Sequence, residues 1–425
     1  MAKFKTRARA VDMLGRQQIA GVSTAISELF KNAHDAYADH AEVDYFRADN
    51  LLVIRDDGVG MTREEFEDRW LVIGTESKFA AEGKNAQTYR PQEKLERVLT
   101  GEKGIGRLAI ALLGRQALVL SRAKRDRKLH DLVMCFIHWG LFEIPALNLE
   151  DITIPVQTIP GGQLPNIQSV VKVVSECRRL VERLKFKHKN YDFRQILSDL
   201  NDFQVDPENL QQFLGGLSLQ HSGSGTHFYI APANDTIAAD IEADRRNQKR
   251  DFTKFLLGFC NSTFIDTTSP PIATAFRYHS SDVEEDDLIG PSEFFTAEEL
   301  ASTDHRICGA IDEYGQFQGT VRVYDKEYAD HVISWKDSEG KPTACGPFAL
   351  EFGYLQGSQR ESRLAPDDWA RLARKLDSIG GLYVYRDRIR ILPYGNSDVD
   401  WLDVELRRTK GAGHYFFWLF SLASG

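Results

Sequence analysis

Glu28 and Asn32, in the run Glu-Leu-Phe-Lys-Asn, stand four residues apart, so on a helix both side chains leave the same face. A carboxylate in that position can polarise a water molecule. A neutral amide oxygen one turn further on can share Mg²⁺ with phosphate groups. An ordinary solvated helix face has the same spacing. Asp56 to Met61 reads Asp-Asp-Gly-Val-Gly-Met and follows an apolar run. Its glycines, Gly58 and Gly60, permit a tight turn and close approach to a flat ligand, while Asp56 offers an acceptor to an exocyclic amine. A plain Asp-Gly turn is the alternative. Gly101 to Gly106 reads Gly-Glu-Lys-Gly-Ile-Gly and precedes another apolar segment. Its amides can form an anion nest at a helix start, with Lys103 adding charge. The spacing is GxxGxG, so it fits neither a P-loop nor a GxGxxG dinucleotide turn. Gly223 to Thr226 (Gly-Ser-Gly-Thr) is the fourth segment.

These residues need elements to position them. Val11, Leu14, Ile19, Val22, Ala25, Ile26, Leu29 and Ala33 recur at three- and four-residue spacing, which predicts one helix over residues 10–37 carrying Glu28 and Asn32. Strands are expected at 41–46 and 51–55, joined by a turn at 47–50, so that Asp56 lies at a strand end. Residues 107–113 read as a helix start, and 116–122 with 129–139 as paired strands. Charged and apolar residues alternate with helical spacing over 167–213, as in helices lying on a sheet. A strand is expected at 226–231 and helix over 243–260, where Arg245, Arg246, Lys249 and Arg250 form a basic cluster best read as a solvated face. Pro270-Pro271 and the acidic run Asp282 to Asp287 mark a boundary near 265–290. Beyond it, strands at 319–324, 348–354, 381–385 and 389–392 with a helix at 367–378 predict a separate α/β unit.

Composition narrows the class. The chain has 425 residues, 42% hydrophobic and 27% charged, enough for two or three domains, and no apolar run long enough to span a membrane. With 53 Lys and Arg against 62 Asp and Glu, the net charge of −9 argues against a globally basic nucleic-acid coat. The N-terminus has no secretory pattern, and five scattered cysteines, none in a CxxC pair, suggest a reducing, cytoplasmic setting without a zinc site.

Taken in order, the four segments resemble the N, G1, G2 and G3 boxes of the GHKL superfamily of ATPases, which includes DNA gyrase, Hsp90, histidine kinases, MutL and MORC proteins. The resemblance covers roughly residues 10–235. It implies ATP and Mg²⁺ as cofactors, Glu28 as general base and Asn32 as metal ligand. It makes Asp56 the adenine-reading acid, Gly58 and Gly60 the turn beneath the base, Gly101, Gly104 and Gly106 the phosphate loop, and Thr226 a support of the adenine site. Asp35, Met61, Lys103 and Ile105 join the nucleotide-binding set by the same resemblance. Residues 62–100 correspond to the ATP lid. The implied fold is an α/β Bergerat sandwich, a largely antiparallel sheet with helices on one face, over residues 1–270 with a helical insertion at about 165–215. An S5-like transducer domain over 271–425 should follow; Gly380 to Leu402 looks like that of MORC- and MutL-type proteins. There Arg386, Arg388, Arg390 and Lys410 are candidates to reach the γ-phosphate. His34-Asp35 looks like a phosphoacceptor pair, yet it lies within the N box, and no dimerisation helix pair is expected in the short stretch before the first helix. The resemblance implies an ATP-dependent homodimer acting as a switch, with DNA, a partner protein or antiviral defence as associated settings. A nucleotide-binding scaffold or an Hsp90-like chaperone is the alternative.

Overall fold

Two helices replace the single one expected over 10–37: α1 (Arg9–Gly15) and α2 (Val22–Asp35). Gly21, which precedes α2, sits at φ +155°, outside helical geometry and in a region that L side chains rarely adopt. Gly15 ends α1 where an added Cβ would lie 3.0 Å from the Leu108 carbonyl oxygen. The structure, a computed structural model, describes residues 5–73, 89–100, 106–247, 251–260, 270–280, 283–335, 340–395, 399–402 and 415–422. Its chain divides into two units: Met1–Ala239 with Ile272–Leu288, and Asp240–Pro271 with Ile289–Gly425. The expected single division at 270 therefore changes in both directions, since 240–271 joins the second unit and 272–288 returns to the first.

In the first unit β1 (His40–Phe46) and β2 (Leu51–Asp56) form the expected hairpin. A capped turn, α3 (Arg63–Glu65), follows. After a 3₁₀ turn at Gly106–Ala109 come α4 (Ile110–Leu113), β3 (Gln116–Arg125), β4 (Lys128–His138) and β5 (Val156–Ile159). The helices α5 (Ile167–Lys187), α6 (Arg194–Asp202) and α7 (Pro207–Leu214) precede β6 (Gly225–Ile230). The strands β7 (Ala273–Ser280) and β8 (Val283–Asp287) complete an eight-stranded sheet of order β5-β4-β3-β6-β2-β1-β7-β8. β7 runs parallel to β1, and the other pairs are antiparallel. The acidic run read as a boundary is thus an edge strand.

Strand alternation gives the sheet two faces. Val43, Ile54, Phe228 and Val119 lie in register and are buried on the side of α2, whose buried stripe is Ala25, Ile26, Leu29, Phe30 and Ala33. Phe136 and His138 point the other way. Phe136 meets Phe203 edge-on at 5.1 Å, and His138 Nε2 lies 3.1 Å from Asp199 of α6. The helical insertion therefore covers the second face, where one helical face was expected. Arg55, fully buried on that side, donates to Glu42 at 2.9 Å, Asp44 at 3.1 Å and the carbonyls of Leu214, Gly215 and Leu217. Arg277 of β7 donates to Glu42 at 2.9 Å, so the ion-pair network ties β7 to β1. Burial alone would raise the Asp44 carboxyl, but its His279 bond and the Arg55 and Arg277 charges hold it below the usual range.

The second unit begins within α8 (Asp235–Asn247) and continues with α9 (Asp251–Leu256) and α10 (Ala297–Ser302). Its sheet contains β9 (His305–Ile311), β10 (Phe317–Val323), β11 (Lys326–Ile333), β12 (Phe348–Leu355), β13 (Gly381–Arg386), β14 (Ile389–Arg390) and β15 (Tyr415–Leu422). The order is β11-β10-β9-β12-β15-β13-β14, mixed because β13 and β15 are parallel. α11 (Pro366–Ile379) packs against β15. Phe294, Phe295, Tyr383 and Phe417 fill the core, with Phe295 and Phe417 at 4.3 Å. Among the described residues no helix is long and apolar enough to cross a membrane.

Candidate functional site

The first turns of α2 are apolar enough to bury it on the sheet, which leaves Glu28 and Asn32 half-buried one turn apart on its remaining face. Glu28 Oε1 accepts a hydrogen bond from Lys31 Nζ at 2.8 Å. Gly106 closes on both side chains. A Cβ built there would lie 3.1 Å from Glu28 Oε2 and 3.8 Å from the Asn32 amide, so a larger residue would crowd the carboxylate. The third glycine of the Gly101–Gly106 loop thus meets the helix pair. Gly101, Lys103, Gly104 and Ile105 lie outside the described residues, as does the centre of the expected lid at 74–88.

The C-terminal end of α2 anchors the chain that leads to this loop. Buried Asp35 accepts from the Thr100 amide and hydroxyl, both at 2.9 Å. Arg97 donates to the carbonyls of His34 at 3.2 Å and Ala38 at 2.8 Å, and Lys94 to Tyr37 O at 2.6 Å. Asp35 therefore bonds the residue just before Gly101. His34 is 4% exposed and sits 3.3 Å from Asp35, the position of a packed helix residue.

Asp56 ends β2. Its Oδ1 accepts from the amides of Gly58 at 2.9 Å and Thr226 at 3.2 Å, and among the described residues no group donates to Oδ2. Burial pushes the carboxyl up to about 7; the two amide bonds oppose this, and the Asp57 charge adds to it. The loop after Asp56 is held from several sides. Val59 N donates to Ala36 O at 2.9 Å, joining it to the end of α2. Met61 N donates to Ser121 Oγ at 3.0 Å, and Ser121 Oγ lies 2.9 Å from Thr226 Oγ1. Arg125 donates to the carbonyls of Val59 at 2.7 Å and Gly60 at 3.1 Å. Gly60 sits at φ +57° and an added Cβ would fall 2.0 Å from Arg122 O, so only glycine fits.

The arrangement brings Glu28, Asn32 and Gly106 together, and separately Asp56, Gly58, Met61 and Thr226, with the end of α2 joining the two groups. Ser121, Thr100, Arg97 and Arg125 were not legible in the sequence, because each acts through a hydrogen bond to a distant segment and carries no motif. Arg390, read as a candidate for the γ-phosphate, is used inside its own unit. It is 3% exposed, donates to the carbonyls of Lys254 at 2.7 Å and Leu257 at 2.6 Å, and lies 4.5 Å from the Tyr383 ring centre. Arg386 is exposed beside Asp387, and Lys410 lies outside the described residues.

No curated protein matched the chain. Residues 20–152 match the family model described as histidine kinase-, DNA gyrase B-, and HSP90-like ATPase, a span that holds Glu28, Asn32, Asp56 and Gly106 but ends before Thr226. With a mixed sheet, the paired side chains of α2 and a half-buried acid at the end of β2, residues 20–152 belong to the GHKL-type ATPases.

Proposed function

We propose that the protein is a Mg²⁺-dependent, slowly hydrolysing ATPase whose nucleotide state gates homodimerisation. The observation that carries this reading is the approach of Gly106 to Glu28 and Asn32, which would let phosphates held by a glycine loop meet a carboxylate and an amide together. Asn32 would hold Mg²⁺, which when bound neutralises phosphate charge. Glu28 orients water and takes its proton at the carboxylate. Asp56 would read the base: Oδ1 is committed to two amides, which leaves Oδ2 to accept from an exocyclic amine. For a switch, nucleotide must bind one conformation more tightly than the other, since equal affinity shifts no population. A scaffold in which turnover is incidental is the second reading, favoured by the Lys31 bond that already occupies Glu28 Oε1.

Light scattering and calorimetry test both. With a non-hydrolysable ATP analogue, wild type and Glu28→Ala should pass from monomer to compact dimer, while Asp56→Asn should not. An apo protein that is already a tight dimer, unchanged by the analogue, would exclude the switch. Wild-type biological activity in a Glu28→Ala protein that has lost turnover would favour the scaffold.

A further inference from the structure

The outer face of α5 is not used by the nucleotide site. From Val171 to Asn190 the chain has seven Lys or Arg against two Glu, although its net charge is −9. One side of α5 is spent on the fold: Val170, Val173, Val174, Cys177, Leu180, Val181 and Leu184 are buried. The opposite side presents Lys172, Arg179, Arg183 and Lys187, all exposed, at intervals of seven, four and four residues. At 1.5 Å per residue the row extends over about 22 Å. Its charge is little compensated. Arg179 comes no nearer to Glu176 than 3.9 Å, and among the described residues no ion pair engages Lys172, Arg183 or Lys187. Within this row stands Phe186, 78% exposed, with Lys189 Nζ 5.7 Å from its ring centre. A groove of about 690 Å³ runs alongside, with Leu180 and Leu184 in its wall and Arg183, Lys187, Asp151 and Glu182 also lining it.

We propose that this face binds single-stranded nucleic acid, with phosphates along the Lys and Arg row and an unpaired base stacked on Phe186. A solvated ring among cations suits the exposed face of an unpaired base, which a duplex does not offer. An anionic membrane fits less well, because a surface helix inserts its apolar side and that of α5 is already buried in the protein. The inference does not rest on ATP turnover.

Fluorescence anisotropy of a labelled thymidine 20-mer, its duplex form and phosphatidylserine vesicles, each titrated with the full chain, tests it. Wild type should bind the single strand at low salt, with log K falling by about 3 per decade of salt for four phosphate contacts. Arg183→Glu with Lys187→Glu should weaken binding at least about tenfold and lower that slope by more than about 1. Phe186→Ala should weaken it about fivefold or more with the slope unchanged. Arg127→Glu with Lys128→Glu makes the same charge change elsewhere and should leave binding near wild type. Should the Glu pair fail to fold, Arg183→Gln with Lys187→Gln takes its place. The proposal is overturned by no binding of the single strand at low salt, by equal weakening in the control pair, by an unaltered Phe186→Ala, or by preference for the duplex or the vesicles.

Discussion

The two ends of the proposed nucleotide site are built differently. At the Asp56 end, one half-buried carboxylate is held by two amides, and the following loop is fixed by Ser121, Arg125 and the end of α2. At the Glu28 end, two half-buried side chains rise from a helix, and among the described residues Glu28 accepts a hydrogen bond from one lysine of its own helix. Under the proposed function, the contrast separates recognition from chemistry. Recognising a flat base needs a fixed acceptor, so its surroundings over-determine it. A group that handles water and phosphate must remain accessible, so fewer contacts restrain it.

That contrast can be broken in order of effect. Glu28→Ala should lower ATP turnover by about 10²–10⁴-fold while leaving Mg·ATP affinity near wild type, as expected for a positioned general base. Phosphate-release kinetics with parallel calorimetry would show it, and undiminished turnover would remove Glu28 from that role. Asp56→Asn should act the other way, weakening ATP binding itself by about 2–4 kcal/mol through a lost charge-assisted bond and a mismatched, half-buried amide. Wild-type affinity in calorimetry would refute the base-reading assignment.

A third expectation concerns pH. The Asp56 carboxyl is raised to about 7 from an ordinary value of 3.8, so between these limits the folded state holds a proton that the unfolded state does not. Stability from this group is therefore gained as pH falls below 7 and lost as pH rises through it. Adenine binding has the opposite sense, because a protonated Oδ2 would place donor against donor. Affinity should fall as pH drops from 8 to 6 in wild type and stay comparatively flat in Asp56→Asn; equal slopes in calorimetry would contradict the mechanism. The smallest effect is expected from Lys31→Met. An exposed or half-buried ion pair is worth about 0.2–1 kcal/mol, so turnover should fall by no more than about fivefold with ATP affinity unchanged. A larger loss would mean that the Glu28 end is as tightly determined as the Asp56 end.

Helix periodicity placed α2 and the strand pattern placed β1 and β2, because burial on one sheet face imposes those repeats locally. The same periodicity ran straight through the break at residues 16–21, since a glycine at φ +155° leaves the apolar spacing on either side intact. β8 was hidden for a different reason. An edge strand need not be apolar, so Val283–Asp287, with its run of acids, reads as a linker until its pairing with β7 is seen. β15 is apolar and aromatic, but its pairing with β12 and β13 joins segments far apart in the chain.

Residue type and spacing by themselves determined that Glu28 and Asn32 share a helix face, that Asp56 ends a strand before a glycine turn, and that Gly106 opens a helical segment. These follow from backbone geometry over a few residues. Tertiary structure alone decided that Gly106 closes on Glu28 and Asn32, that Asp35 holds Thr100, and that Ser121 ties Met61 to Thr226. It also decided that Arg390 is spent on carbonyls within its own unit. Each of these contacts joins residues that no local repeat relates, and the hydrogen-bond partner of a buried polar group is set by whichever distant backbone the packed core brings to it.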